Sequence, residues 1–277
     1  MSGVQSPTFF KKAIFKNLCY NIFNMILILF FIFIFGLIIG SFLNALIWRT
    51  HKKKSMLERS CCPKCKHILG VKDLVPLFSF FWQKGQCRYC QKKISWQYPL
   101  VEFFTGVFFC LVFLKNFEMN SLSFNSIILF RDLFFVSVLM IIFVYDLKYK
   151  LILDKITLPA MAIGLMLNLI LGISWQNLIF GSGIGGGFFL AQFLISKGRW
   201  IGGGDIRMGA LMGLFLGWPQ ILVALFFAYI LGAIIGVILI IFKKKGMKSE
   251  IVFGTFLAIG ALISLFFGEQ ILLIYGL

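Results

Sequence analysis

Residues Asn24–Trp48 read NMILILFFIFIFGLIIGSFLNALIW, without a single charged side chain. About 20 apolar residues cross the hydrocarbon core of a bilayer, so this run predicts a transmembrane helix. A signal peptide is the competing reading. The run is too long for one, and it ends in a basic stop-transfer cluster, Arg49 to Lys54, instead of a small-residue cleavage site.

Similar runs recur along the chain, at about Pro99–Leu114, Ser126–Tyr145, Ile156–Gly172, Asn177–Ser196, Met208–Trp218, Ile221–Phe242 and Ile251–Tyr275. The Met208–Trp218 run is short for a full crossing; it either extends toward Ile206 or runs on through Pro219 as part of a bent hairpin. The expectation is an all-α polytopic membrane protein with about eight spans, or seven if the short run is part of such a hairpin. The composition agrees: 60% of the residues are hydrophobic and 13% are charged, with a mean hydropathy of +0.95. A water-soluble domain of this length does not have such values.

The formal net charge is +17. Nucleic acid is one explanation for such a charge, but the distribution favours another. With residues 49–98 in the cytoplasm and the spans alternating, the loops 49–98, 146–155, 197–207 and 243–250 share one face. They hold all the Lys and Arg residues except Lys11, Lys12, Lys16, Lys115 and Arg131. This is the positive-inside pattern, so the expected partner is the lipid bilayer and no nucleic acid is expected. The division expected is a tail at 1–23, a first helix at 24–48, a cytoplasmic segment at 49–98 and a membrane domain at 99–277.

Seven cysteines are present, and Cys62, Cys65, Cys87 and Cys90 form two CxxC pairs within the polar 49–98 segment. Two thiolates at one turn and two at another complete a closed tetrahedral site, for which Zn²⁺ is the natural occupant. With no open position such an ion is structural. It would hold together a segment too small to fold on its own core. No internal repeat is apparent in the sequence.

The remaining signal is acidic. Asp205 follows Gly202, Gly203 and Gly204 between two spans, and Asp146 ends an earlier span on the same expected face. An ionisable residue at this depth is a functional candidate, and two carboxylates able to share one proton are the equipment of an aspartyl protease. Asp146 is also a poor choice for the end of a helix, where the macrodipole disfavours a carboxylate. Asp154 reads better as an N-cap for the helix beginning near Ile156. The Gly181–Gly187 stretch reads as a site of close helix packing, and Arg131-Asp132 as an ion pair near a span end.

Taken together these motifs resemble the type IV prepilin peptidases, bifunctional leader peptidase/N-methyltransferases, over nearly the whole chain after about residue 35. The residues concerned are Gly40-Ser41-Phe42-Leu43-Asn44 with Arg49, the two cysteine pairs, Asp73-Leu74-Val75-Pro76, Tyr98-Pro99-Leu100-Val101-Glu102, Asp146-Leu147-Lys148 through Asp154, and Gly202-Gly203-Gly204-Asp205, which fits a GxGD motif. The resemblance implies that Asp146 and Asp205 form a catalytic dyad facing the cytoplasm, in the bacterial inner membrane. It implies cleavage of a leader from a type IV prepilin or pseudopilin, then methylation of the new N-terminal residue by S-adenosylmethionine. Glu102 is a candidate for the cofactor-binding half of that chemistry. Leu153 departs from the pattern, since the family usually carries proline there. A zinc-anchored assembly protein with an inert site is the alternative from another class. A proton-relaying transporter ranks below it because no paired inverted repeats are seen.

Overall fold

The computed structural model describes residues 7–117, 126–242 and 252–276, with the side chains of 7–21 excluded. The basic loop 243–250, Cys19 and the lysines at 11, 12 and 16 therefore lie outside the described part. The described residues form helices and turns, with two isolated β-bridges and no strand.

Helix α1 spans Pro7–Lys52 and ends in Arg49, His51 and Lys52, which suit the negative pole of a helix. A 3₁₀ turn at Val71–Asp73 and the short helix α2, Phe78–Trp82, belong to the cysteine segment. Seven helices follow: α3 Gln97–Asn116, α4 Ser126–Tyr149, α5 Asp154–Ile170, α6 Trp175–Ser196, α7 Gly203–Leu216, α8 Gln220–Ile241 and α9 Phe253–Ile274. Eight long helices match the eight runs expected from the sequence. Six of them are long and apolar enough to cross a membrane by length and composition. The two others are α5, with 17 residues, and α7, with 14. At 1.5 Å per residue α7 is about 21 Å long, against about 30 Å of hydrocarbon.

Helix α7 also starts earlier than the sequence suggested, at Gly203 instead of Met208, so that Asp205 lies in its first turn. The reason is local. The Asp205 carboxylate accepts the Gly202 N–H at 3.1 Å, satisfying one of the amides a helix start leaves open. Asp154 also falls inside its helix, in place of the N-cap position expected for it. Helix α5 begins at Asp154 itself with Leu153 as its N-cap, and no side chain caps it. Asp154 instead pairs with Arg207 of α7. Leu153 has φ −87° and ψ 120°, an extended backbone that leads into the helix.

The main packing partners are α6 with α7, α1 with α3 and α8 with α9. The α6–α7 contact explains the glycine stretch. A Cβ on Gly181 would stand 2.8 Å from the Gly213 oxygen, and one on Gly186 3.2 Å from the Ala210 Cβ, whereas Gly183 and Gly187 face open space. The core lies among α4, α7 and α9, where Leu139, Met208, Leu211, Met212, Leu257 and Ala261 are inaccessible. Phe135 of α4 stacks on Phe215 of α7 at 4.3 Å. The lipid-facing sides carry exposed Phe30, Phe31, Phe35 and Ile38 on α1, and Ile234 and Val237 on α8. A large apolar surface of this kind suits a hydrocarbon solvent. The chain is a multi-pass membrane protein.

Candidate active site and cysteine cluster

Asp146 stands in the last turn of α4 and is buried. Its Oδ2 accepts the backbone N–H of Thr255 at 3.1 Å. This amide lies in the first turn of α9, so the positive pole of a third helix faces a carboxylate that its own helix disfavours. Asp205 opens α7 at the same end of the bundle, half-buried. Ile152 stands between the two sides. Its Cβ lies 2.9 Å from where a Gly204 Cβ would be, and its Cδ1 2.9 Å from a Cβ on Gly254. A side chain at either glycine would have to displace Ile152, and this one side chain thus spaces the Asp205 turn from the amide that holds Asp146.

Several residues that the sequence reading did not single out complete this end. Arg207 donates Nε to the Gly203 oxygen at 3.3 Å while pairing with Asp154, so it braces the turn carrying Asp205. Tyr229 of α8 packs edge-on against Phe253, the first residue of α9, with ring centroids 5.0 Å apart. Its hydroxyl exchanges hydrogen bonds with Gln192 of α6, at 2.8 and 3.0 Å. The start of α9 was legible as a span but not as a carboxylate-holding element. The adjacent small residues Gly254-Thr255 were the available signal.

The four cysteines named from the sequence come together. The Sγ atoms of Cys62, Cys65, Cys87 and Cys90 all lie within 4.8 Å of one another, with Cys62 and Cys90 4.0 Å apart. Four thiolates at 2.3 Å from one ion would be about 3.8 Å apart, so the cluster fits a tetrahedral metal. Burial raises the pKa of Cys62, but hydrogen bonds from the backbone of Cys65 and Lys64 and the neighbouring thiols outweigh this and bring it to about 7.

The backbone around the two pairs is repeated, a feature the side chains hide. Cys62 N–H donates to His67 O, and Cys87 N–H to Lys92 O. Lys66 donates to Cys62 O and Gln91 to Cys87 O. Leu69 donates to Ser60 O and Ile94 to Gly85 O. The bridges Cys61–Ile68 and Gln86–Lys93 match in the same register, and Lys66 and Gln91 share a positive φ, 59° and 55°. Backbone hydrogen bonding constrains these turns more than residue identity does, so the repeat escaped the sequence reading.

Asp73 ties the repeats together. Its carboxylate accepts from the Gly70 amide, Gln83 Nε2 and the Tyr89 hydroxyl, at 3.1, 3.0 and 3.3 Å. Glu102 then fastens the segment to the bundle. Buried on α3, its Oε2 accepts the Leu77 N–H at 2.9 Å. Gly40 of α1 packs directly on the Glu102 backbone, where a Cβ would stand 2.7 Å from its Cα. Asn44 donates to Tyr98 O at 3.1 Å, and Arg49 reaches the carbonyls of Met56 and Glu58 at 2.5 and 2.6 Å. The first-helix motif is thus an anchor for the cysteine segment.

Residues 34–116 match the Bacterial Peptidase A24 N-terminal domain, and residues 133–237 match the Type IV leader peptidase family. A Bacillus subtilis (strain 168) protein named prepilin leader peptidase/N-methyltransferase is 32% identical over 249 residues, covering 88% of this chain and 96% of its own. The chain belongs to the type IV leader peptidase family. A relative of the same name from Aeromonas salmonicida (strain A449) is 30% identical over 271 residues, covering 87% of this chain and 91% of its own. One from Myxococcus xanthus (strain DK1622), also so named, is 32% identical over 230 residues, covering 79% and 66%. No solved structure matches the chain.

Proposed function

We propose that this family member is a membrane-embedded aspartyl endopeptidase that removes the leader of type IV prepilins or pseudopilins and N-methylates the new N-terminus with S-adenosylmethionine. The observation that supports the reading is that Asp146, in the last turn of α4, and Asp205, in the first turn of α7, each accept a backbone amide and flank Ile152 at the same end of the bundle. One carboxylate is ionised and takes a proton from a water molecule, whose oxygen adds to the scissile carbonyl carbon. The other is protonated and donates to the carbonyl oxygen. Collapse of the tetrahedral adduct breaks the C–N bond, and the amine leaves with a proton returned by the dyad. The abundance of Lys and Arg in the loops of that face supports a cytoplasmic orientation for it, and the family supports a bacterial inner membrane.

The four cysteines hold Zn²⁺ as a structural ion that joins the two turns and supplies no catalytic group. Methyl transfer draws on S-adenosylmethionine as donor. Glu102, whose carboxylate accepts the Leu77 amide, is the candidate residue for this half of the reaction.

Cleavage is tested by mixing the detergent-solubilised protein with a prepilin and reading leader loss by mass spectrometry, beside Asp205→Asn. Leader loss with the unaltered protein alone supports the protease. A further gain of one methyl mass with S-adenosylmethionine supports the second activity. A folded, unaltered protein that leaves a competent prepilin intact moves the reading to an inert assembly protein.

A further inference from the structure

The membrane face opposite the aspartates holds a cavity of about 550 Å³, where Lys115, Arg131, Asn177, Trp218, Gln220 and Glu269 meet apolar side chains of α7 and α9. Its origin is the short α7. That helix starts at the aspartate face and ends at Leu216, about 9 Å before a full crossing would. The turn to α8 therefore lies below the opposite boundary. Irregular backbone at that depth survives only where protein buries it or a polar space receives it.

Both conditions are met. Asn168 donates to Leu214 O at 2.6 Å, Asn177 to Trp218 O at 3.0 Å, and Ser264 to Gln220 O at 2.7 Å. The cavity fills the remaining space, and its charges are segregated. On the α3–α4 wall, Arg131 and Lys115 share the single carboxylate of Asp132, leaving one surplus positive charge among the described residues. Arg131 spends its remaining described bond on Asn168 at 3.1 Å. On the α9 wall, Glu269 meets only the Gln220 amide among the described residues, at 3.5 Å. Trp218 and Leu273, 40% and 75% exposed, line the cavity beside these charges.

We propose that this cavity binds the headgroup of a zwitterionic aminophospholipid, with the phosphodiester against Lys115 and Arg131 and the ammonium against Glu269. Water alone solvates a cation but gains nothing from opposed charges across an apolar-walled cleft. A primary ammonium can donate hydrogen bonds to Glu269, and a quaternary one cannot. The site therefore prefers phosphatidylethanolamine to phosphatidylcholine, and the phosphate wall alone does not distinguish them.

The test is native mass spectrometry of the full-length protein in detergent, with equal amounts of dioleoyl phosphatidylethanolamine, phosphatidylcholine and phosphatidylglycerol. Phosphatidylethanolamine should be retained about tenfold over the others, the worth of one charge-assisted hydrogen bond. Glu269→Gln should erase its advantage over phosphatidylcholine, and Lys115→Glu should lower retention of all three. Equal retention of the three lipids by the unaltered protein, or an unchanged preference in folded Glu269→Gln, overturns the proposal. Thermal unfolding of each variant monitors the fold, and if Lys115→Glu does not fold, Glu269→Gln decides alone. The readout involves no prepilin, so it stands or falls separately from the proposed activity.

Discussion

The backbone amide of Thr255 donates to the carboxylate of Asp146 across 109 residues of chain, at 3.1 Å. A third helix therefore sets where that carboxylate points. The approach depends on Gly254, since a Cβ there would lie 2.6 Å from Asp146 Oδ2 and 2.9 Å from Ile152 Cδ1. Gly254→Ala should displace the carboxylate and lower the cleavage rate at saturating prepilin by about 10²-fold, the scale of a small misplacement at a reacting group. Steady-state kinetics should show the loss in kcat with KM little changed. An unaltered kcat would separate α9 from the chemistry.

The two aspartates should be replaceable without loss of the fold. In Asp146→Asn and Asp205→Asn one oxygen remains to accept the Thr255 or Gly202 amide, and an ionisable group leaves a partly buried site. Cleavage should fall about 10²–10⁴-fold while the unfolding temperature in detergent holds or rises. Activity near that of the unaltered protein in either variant would remove that residue from the dyad.

Metal should report on the cysteine segment alone. Fresh reduced protein should contain one zinc per chain by elemental analysis, and Cys65→Ala or Cys90→Ala should lose it. Chelation should raise amide exchange in residues 60–95 and leave exchange in α4 and α7 unchanged. Spreading of the exchange into those two helices would show that the ion supports the whole bundle.

Asp154 and Arg207 offer a contrast. Their side chains are 53% and 36% exposed, so the ion pair itself adds little, about 0–1 kcal/mol. Asp154→Asn should scarcely shift the unfolding temperature. Arg207→Gln should reduce cleavage more than Asp154→Asn does, because Arg207 also holds the Gly203 carbonyl. Equal effects on cleavage would assign the influence to the pair and not to the turn.

The membrane architecture and the clustering of Cys62, Cys65, Cys87 and Cys90 were legible because they follow from composition and spacing. Runs such as Asn24–Trp48 have one structural solution in a bilayer, and paired CxxC motifs have few. The helix starts were less legible. Asp205 serves its own N-terminus while Asp154 does not, although both are carboxylates near a span. The difference lies in the partners, Gly202 N–H for one and Arg207 for the other, and only folding brings Arg207 beside Asp154. The hold of α9 on Asp146 was hidden for the same reason, since a backbone donor leaves no mark in side-chain identity.

The duplicated turns around Cys62 and Cys87 bear on the order in which the protein is assembled. Each turn closes on its own backbone bonds but offers an ion only two sulfurs. During synthesis the first turn emerges well before the second, and an ion captured by it has two coordination positions unfilled. Saturation of the ion thus marks the moment when the chain has delivered both turns, just ahead of α3. The metal would then fasten the link between the first two membrane helices before the segments bearing either aspartate have been made.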